Sequence, residues 1–323
     1  MKSGWKLVVF LLLGCAGVVG VSLGRAWTRI ERIEAQPEAG FHWPYYLYVP
    51  EAARHKAEFG GRMWLLVLPD DGARLEDDLD AQQRVAWLRI AREMRHVDEL
   101  GLPALVPAFP RLAEHRRIDT RSLDRDSLTC DVEGLERVDL QLIAMIEHAT
   151  AELARRGITL EPKVVLEGFG ASGAFVNRFT MLHPTRVRAA VAGAPEGWPL
   201  APIATFGGQP LRYPLGTADL EEIKGEAFDA ESFMRVPMLL YMGEADTYDA
   251  ATRGAYAPRE RDLLFELFGL TPLERWPTAQ EIYAQAGCRA EFRLYPGLGR
   301  TPSADVRADT AEFLHAAVGN ALP

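Results

Sequence analysis

The feature that most constrains the fold is the alternation of short, continuously apolar runs with long helical patterns. KVVLEGF and PMLLYMGEAD are two of the apolar runs, and LDAQQRVAWLRIAREMRHVDELG is a helical pattern that ends at Gly101. This alternation predicts an α/β fold in which helices cover both faces of a mostly parallel sheet. Ligand sites in such sheets form at the carboxyl ends of the strands. These ends are at Leu68, Pro107, Phe169, Gly193, Gly243 and Tyr295.

Composition excludes some classes of function. The 323-residue chain has a net charge of −9 and scattered Lys and Arg, so we expect no nucleic-acid partner. No Cys/His cluster has the spacing of metal ligands, and we expect no metal and no cofactor. Cys130 and Cys288 lie far apart in the sequence, which leaves a disulfide between them open.

The amino-terminal segment differs from the rest of the chain. Residues 7–24 are 18 residues without a charge, and Trp5 and Trp27 bracket them. A soluble helix rarely runs so long without a polar face, and Trp is common at both membrane surfaces. We therefore predict a single retained transmembrane helix in the lipid bilayer. The alternatives are a lipidated Cys15, after the run LLG, and a cleaved export signal.

The same segment predicts a partner and an orientation. Ala16, Gly20 and Gly24 recur at every fourth residue and share one helix face, which allows a second membrane helix to approach closely. Ordinary membrane-helix composition is the alternative explanation. With Lys2 and Lys6 inside, the large domain lies on the exported side, periplasmic or extracellular.

These patterns divide the chain into three parts. Residues 1–30 are expected to be a transmembrane anchor and residues 31–42 a connector. Residues 25–34 are predicted to be helical, up to a break at QPEAG. Residues 43–323 form the α/β domain.

The order of elements resembles the α/β-hydrolase fold, and within it the secreted esterases related to polyhydroxyalkanoate depolymerases. The resemblance covers about residues 43–318. It rests on YYLYVP, LVPAFPR, GFGASGAFVNRFTMLHPTRV, GAPEGWPLAP, YMGEAD and YPGLGRTP. It implies a serine at a G-x-S-x-G corner between a strand and a helix, an acid after a later strand and a histidine after the last strand.

Two registers compete at the corner. One makes Ser172 the nucleophile, and the other places Gly170 at the nucleophile position. We favour Gly170, because strand VVLEGF then ends just before it and Pro184 follows fourteen residues later, as is common in this fold. Ser172 then lies in the first turn of the helix, where serine is an ordinary residue.

The histidine position is also changed. In YPGLGRTP, Arg300 stands where the resemblance implies histidine, and an arginine that stays protonated cannot act as a general base. Asp246 matches the acid. Asp70 and Asp71 occupy the turn that supplies an oxyanion amide in the family, and we interpret them as turn formers. We expect the Arg300 guanidinium to form a bidentate pair with the Asp246 carboxylate. The alternative is that Arg300 points into solvent or to a partner.

These residues favour a membrane-anchored hydrolase-fold protein that has lost hydrolase activity and serves as a structural or accessory subunit of a membrane complex. The expected partner is a membrane protein that binds the amino-terminal helix. Two alternatives remain open. One is an active esterase that uses Ser172 with a base such as His183 or His42, and the other is a receptor that keeps the old pocket for a small ligand.

Overall fold

The computed structural model describes residues 29–319, except residues 71 and 73. Its strands are β1 (Ile30–Ile33), β2 (Tyr45–Tyr48), β3 (Met63–Val67), β4 (Ala104–Pro107), β5 (Leu160–Phe169), β6 (Val187–Gly193), β7 (Thr205–Phe206), β8 (Gln209–Pro210), β9 (Met238–Gly243) and β10 (Ala290–Tyr295). Its α-helices are α1 (Glu51–Glu58), α2 (Leu79–Leu100), α3 (Arg125–Thr129), α4 (Val138–Arg155), α5 (Ala171–Leu182), α6 (Leu220–Lys224), α7 (Ala230–Met234), α8 (Pro258–Phe268), α9 (Pro272–Gln285) and α10 (Ala304–Val318).

Eight strands form one sheet in the order β1-β2-β4-β3-β5-β6-β9-β10. The pairs β1–β2 and β2–β4 are antiparallel, and every pair from β4 to β10 is parallel. Strand β5 lies near the centre, where Leu166 is level with Val67 of β3 and Ala190 of β6. The predicted mostly parallel sheet is therefore confirmed.

Helices cover both faces of the sheet. Glu167 of β5 contacts His96 of α2, whereas a side chain at Gly168 would point at Ser172 of α5. Because neighbouring strand residues point to opposite faces, α2 and α5 lie on opposite sides. Helix α10 joins α2 through an ion pair between Arg307 and Glu93.

The predicted helix ends follow local chemistry. Helix α2 begins after Asp78, whose carboxylate accepts a hydrogen bond from the Ala81 amide at 3.0 Å. It ends at Gly101, which has a φ of 65° in the left-handed region that glycine tolerates best. The predicted end of this helix is confirmed.

The start of the domain differs from the prediction. Residues 30–33 form β1 rather than part of a helix, with Ile30 opposite Tyr48 and Ile33 opposite Tyr45. The free edge of β2 offers unpaired backbone groups, and pairing with them outweighs a weak helical preference in four residues. Phe41, in the segment predicted to be a connector, is fully buried in the core. The chain thus joins the folded domain from residue 30.

The segment predicted to be a transmembrane anchor lies outside the described residues. This applies to residues 7–24, to Cys15 and to the face formed by Ala16, Gly20 and Gly24. None of the helices described between residues 29 and 319 combines the length and apolar character needed to cross a bilayer. Cys130 and Cys288 are both free thiols.

Candidate functional site

The strand-to-helix corner after β5 is occupied by Gly170. Its φ is 66° and its ψ is −124°, and α5 begins at the next residue. The Gly170 amide donates a hydrogen bond to the Gly193 carbonyl at 2.9 Å, which fixes the corner against β6. Gly173 also packs closely, because an added Cβ would lie 2.2 Å from the Gly193 oxygen. Of the two registers, the structure therefore places Gly170 at the corner.

Ser172 lies in the first turn of α5 and is fully buried. Its Oγ donates to the Phe169 carbonyl oxygen at 3.0 Å and accepts from the Phe169 amide at 2.9 Å. The hydroxyl thus braces the backbone just before the corner. A nucleophile would instead need an exposed Oγ next to a base.

No histidine is placed to activate Ser172. All seven histidines fall within the described residues, and none of them hydrogen bonds to its hydroxyl. His183 follows the far end of α5, and its Nε2 lies 2.8 Å from Asp139. Eleven residues of helix separate it from Ser172 by roughly 16 Å. At His42, the backbone amide donates to the Gln141 side chain. The bases considered from the sequence are therefore not brought to Ser172.

Arg300 and Asp246 do come together after the last two parallel strands. Arg300 Nη1 lies 3.6 Å from Asp246 Oδ2, which is an ion pair beyond hydrogen-bond distance. The guanidinium carbon lies 3.6 Å from the centre of the Tyr248 ring and 5.8 Å from that of Phe169. The pairing is confirmed, but the predicted bidentate geometry is wrong. Contact with the Tyr248 ring holds the guanidinium away from a planar match with the carboxylate.

Asp246 is held by its own turn. Its side chain is 4% exposed, and Oδ1 accepts a hydrogen bond from the Tyr248 amide at 2.9 Å. The space that Asp246 and Tyr248 line with Trp198 has a volume of only about 10 Å³, roughly enough for one water molecule. This space is too small to hold an ester substrate.

The turn after β3 is described only in part. Asp70 is buried, and its carboxylate accepts a hydrogen bond from the Gly72 amide at 3.1 Å, which fits a turn former. Asp71 lies outside the described residues.

A much larger cavity of about 730 Å³ lies beside Tyr248. It is partly open and is lined mainly by the segments after β4 and β9, which follow strand ends on the same edge of the sheet as Gly170. Leu75, Glu196, Tyr213 and Pro214 complete the lining. Six arginines line it: Arg111, Arg116, Arg117, Arg121, Arg125 and Arg253. Five carboxyl groups line it as well: Asp119, Asp124, Asp126, Glu196 and Glu260. Tyr248 belongs to both the small space and the large cavity.

Burial changes the pKa values of several groups that line the cavity. Desolvation, and after it the charge of Asp119, raises the pKa of Asp124 to about 7. The same two causes raise the pKa of Glu196 above its ordinary value. Burial also raises the pKa of Tyr256, so its hydroxyl stays protonated. Asp124 therefore carries less negative charge near neutral pH than an exposed carboxylate does.

Sequence reasoning identified the corner, Asp246 and Arg300, but it missed the cavity. Tyr248 lies only two residues after Asp246, and this spacing could have identified it as part of the same site. Five of the six arginines lie within residues 111–125, which is a visible local concentration. No group of three or more metal-ligating side chains occurs in the part of the chain that the structure describes.

Solved structures resemble this architecture along nearly its whole length. Poly(aspartic acid) hydrolase-1 from Sphingomonas sp. KT-1 superposes with a TM-score of 0.57 at 15% identity, covering 90% of this chain and 98% of that one. Esterase 2 of Thermogutta terrifontis, phosphonylated by sarin, superposes with a TM-score of 0.50 at 16% identity, covering 91% of this chain and 96% of that one. The chain has the α/β-hydrolase fold. Because the sequence identity to both enzymes is low, the structural likeness shows the fold alone. Neither a family model nor a curated protein matches the chain.

Proposed function

We propose that this protein is a non-catalytic hydrolase-fold subunit of a membrane complex. The observation that carries the proposal is the replacement at the corner, where Gly170 occupies the position at which enzymes of this fold hold their nucleophile. Ser172, the serine closest to it in sequence, is buried and bound to the Phe169 backbone on both sides. Arg300 lies beside Asp246 and is a permanent cation rather than a base.

The backbone geometry explains why glycine suits a corner without chemistry. A residue other than glycine held at such dihedral angles is strained by roughly 1–3 kcal/mol. An enzyme accepts that strain to present its serine. Gly170 adopts the corner without the steric penalty, so the fold is kept while the nucleophile is absent.

The competing function, an esterase acting through Ser172, requires two rearrangements. The Oγ would have to leave both hydrogen bonds to Phe169, and a histidine would have to move next to it. The test is labelling with a fluorophosphonate probe, together with hydrolysis of a short-chain aryl ester. We expect no labelling and no hydrolysis above background. Labelling that Ser172→Ala abolishes would overturn the proposal in favour of the esterase.

The anchor is part of the same proposal. Residues 7–24 cross the bilayer with the large domain on the exported side, and Ala16, Gly20 and Gly24 contact a helix of a partner protein. The length and apolar character of the segment support this arrangement. Sequencing of the mature amino terminus should exclude a start at Cys15, which lipidation would produce, or after residue 21, which cleavage would produce.

The partner contact has its own test in native membranes. Gly20→Leu should release co-purifying proteins while leaving the exported domain folded, because a bulky side chain separates closely packed helices. Val18→Leu is the matched control, since Val18 lies on another face of the same predicted helix. If both variants retain the same partners, the face of Ala16, Gly20 and Gly24 is ordinary membrane composition.

A further inference from the structure

We propose that the 730 Å³ cavity binds a small multivalent oxyanion, a molecule with two or more carboxylate or phosphate groups. The cavity has a volume typical of pockets for small ligands. It lies on the carboxyl edge of the sheet, where ligands of α/β proteins bind. The inference rests on this cavity and the fold, and it holds independently of whether Ser172 is catalytic.

The first argument is the surplus of unpaired cations. Arg116, Arg117 and Arg253 have no ion-pair partner among the described residues. Arg253 instead lies over the Tyr248 ring, with its guanidinium carbon 5.0 Å from the ring centre. Arg300 also contacts the Tyr248 ring, so two guanidinium groups lie beside one aromatic ring. An anion between the loops would neutralise their mutual repulsion.

The second argument concerns the carboxyl groups, which would oppose an anion. Asp119 is already neutralised, with Arg121 at 2.6 Å and Arg111 at 3.3 Å. Asp124 and Glu196 are buried, and burial raises the pKa of both carboxyl groups, to about 7 for Asp124. Of the other two carboxylates, Asp126 is exposed and Glu260 is half-buried. Among the lining residues without an ion pair in the described chain, the exposed Arg116, Arg117 and Arg253 outnumber Asp126 and Glu260.

The third argument is a buried hydroxyl. Tyr256 lines the cavity, is 5% exposed, and its hydroxyl has no hydrogen-bond partner in the described part of the chain. A buried hydroxyl without a partner is costly. Arg178, which is not among the lining residues, is 2% exposed, and its Nη2 is also without a partner among these residues. A hydroxyl donor in a cavity that guanidinium groups also line suits a carboxylate or phosphate group.

Size and charge define the class of ligand further. A long polyanion is disfavoured by the net charge of −9, whereas a short ligand would meet chiefly the arginines that line the cavity. Carboxylate and phosphate groups both match the fork of a guanidinium. Citrate and inorganic pyrophosphate are suitable probes, because each carries several charges and one represents each chemistry.

The test is calorimetric titration of the full-length protein in detergent with citrate and, separately, with pyrophosphate. We expect saturable binding of at least one probe, weakened by added salt, and none of the neutral control glucose. Preference for one probe identifies the chemistry. If neither probe binds at millimolar concentration, the proposal is wrong.

Matched variants locate the site. Arg253→Ala should weaken binding about tenfold, as expected for the loss of a charged hydrogen bond. Arg259→Ala, on an exposed arginine that does not line the cavity, should leave affinity unchanged. Tyr256→Phe should weaken binding without lowering the melting temperature, because its hydroxyl makes no hydrogen bond within the described protein. Equal effects of Arg253→Ala and Arg259→Ala would show non-specific attraction and overturn the proposal. Fluorophosphonate labelling of the same samples reports separately on catalysis.

Discussion

The strain at the corner gives a quantitative prediction for Gly170→Ala. At a φ of 66° and a ψ of −124°, a Cβ costs roughly 1–3 kcal/mol. Alanine also restricts the unfolded chain, which returns about 0.4–1 kcal/mol. The expected net loss in the free energy of unfolding is therefore about 1–2 kcal/mol. For a domain of this size, such a loss lowers the melting temperature by roughly 2–6 °C.

Scanning calorimetry or thermal circular dichroism measures the effect. Gly299→Ala is the control, because a Cβ added at Gly299 would meet only open space and the residue has no left-handed φ. Its melting temperature should be unchanged or slightly raised. If Gly170→Ala melts no lower than Gly299→Ala, the corner is not strained and the physical reason given for its glycine fails.

Three further predictions concern chemistry, a buried ion pair and pH. Gly170→Ser alone should leave aryl-ester hydrolysis at background, whereas Gly170→Ser with Arg300→His should raise it measurably. Only the double variant supplies both a nucleophile and a base. Equal rates for the two variants would contradict this prediction. Arg275→Met should lower the free energy of unfolding by about 3–5 kcal/mol in denaturant titrations, because it leaves the buried Asp249 carboxylate without its bidentate partner; a loss below 1 kcal/mol would refute it. Folding raises the pKa of Asp124 from about 4 to about 7. The contribution of Asp124 to stability is therefore complete below about pH 4 and is lost as pH rises through about 7. The melting temperature of Asp124→Asn relative to that of the wild type should increase between pH 5 and pH 8.

Much of the fold could be predicted because its strands are apolar on both faces and its helices are long. A run such as PMLLYMGEAD leaves little ambiguity, and Gly101 marks a helix end through its left-handed backbone. Strand β1 could not be predicted in the same way. Its four residues do not alternate between apolar and polar, and pairing with β2 alone determines its structure.

The candidate site was also predictable only in part. The approach of Arg300 to Asp246 was predictable, because neighbouring parallel strands deliver their following loops to one edge. The orientation of the guanidinium was not, since it depends on where the Tyr248 ring lies. The cavity was missed for a related reason. Its arginines are local in sequence, but three loops from different strands must meet before they face a common space.

Strand β1 begins the folded domain at residue 30, close in sequence to the segment proposed to cross a membrane. Arg29 already contacts the domain, through an ion pair with Asp98 at 3.8 Å and through the Tyr48 ring. If residues 7–24 cross the bilayer as proposed, only four residues, 25–28, lie between them and Arg29 in the sequence. Fully extended, they span at most about 14 Å, whereas a domain of this size has a radius of gyration of roughly 19 Å. On that proposal the domain could not tumble freely. It would stay close to the lipid surface in a narrow range of orientations, so a partner or ligand would have to approach the cavity from a fixed side.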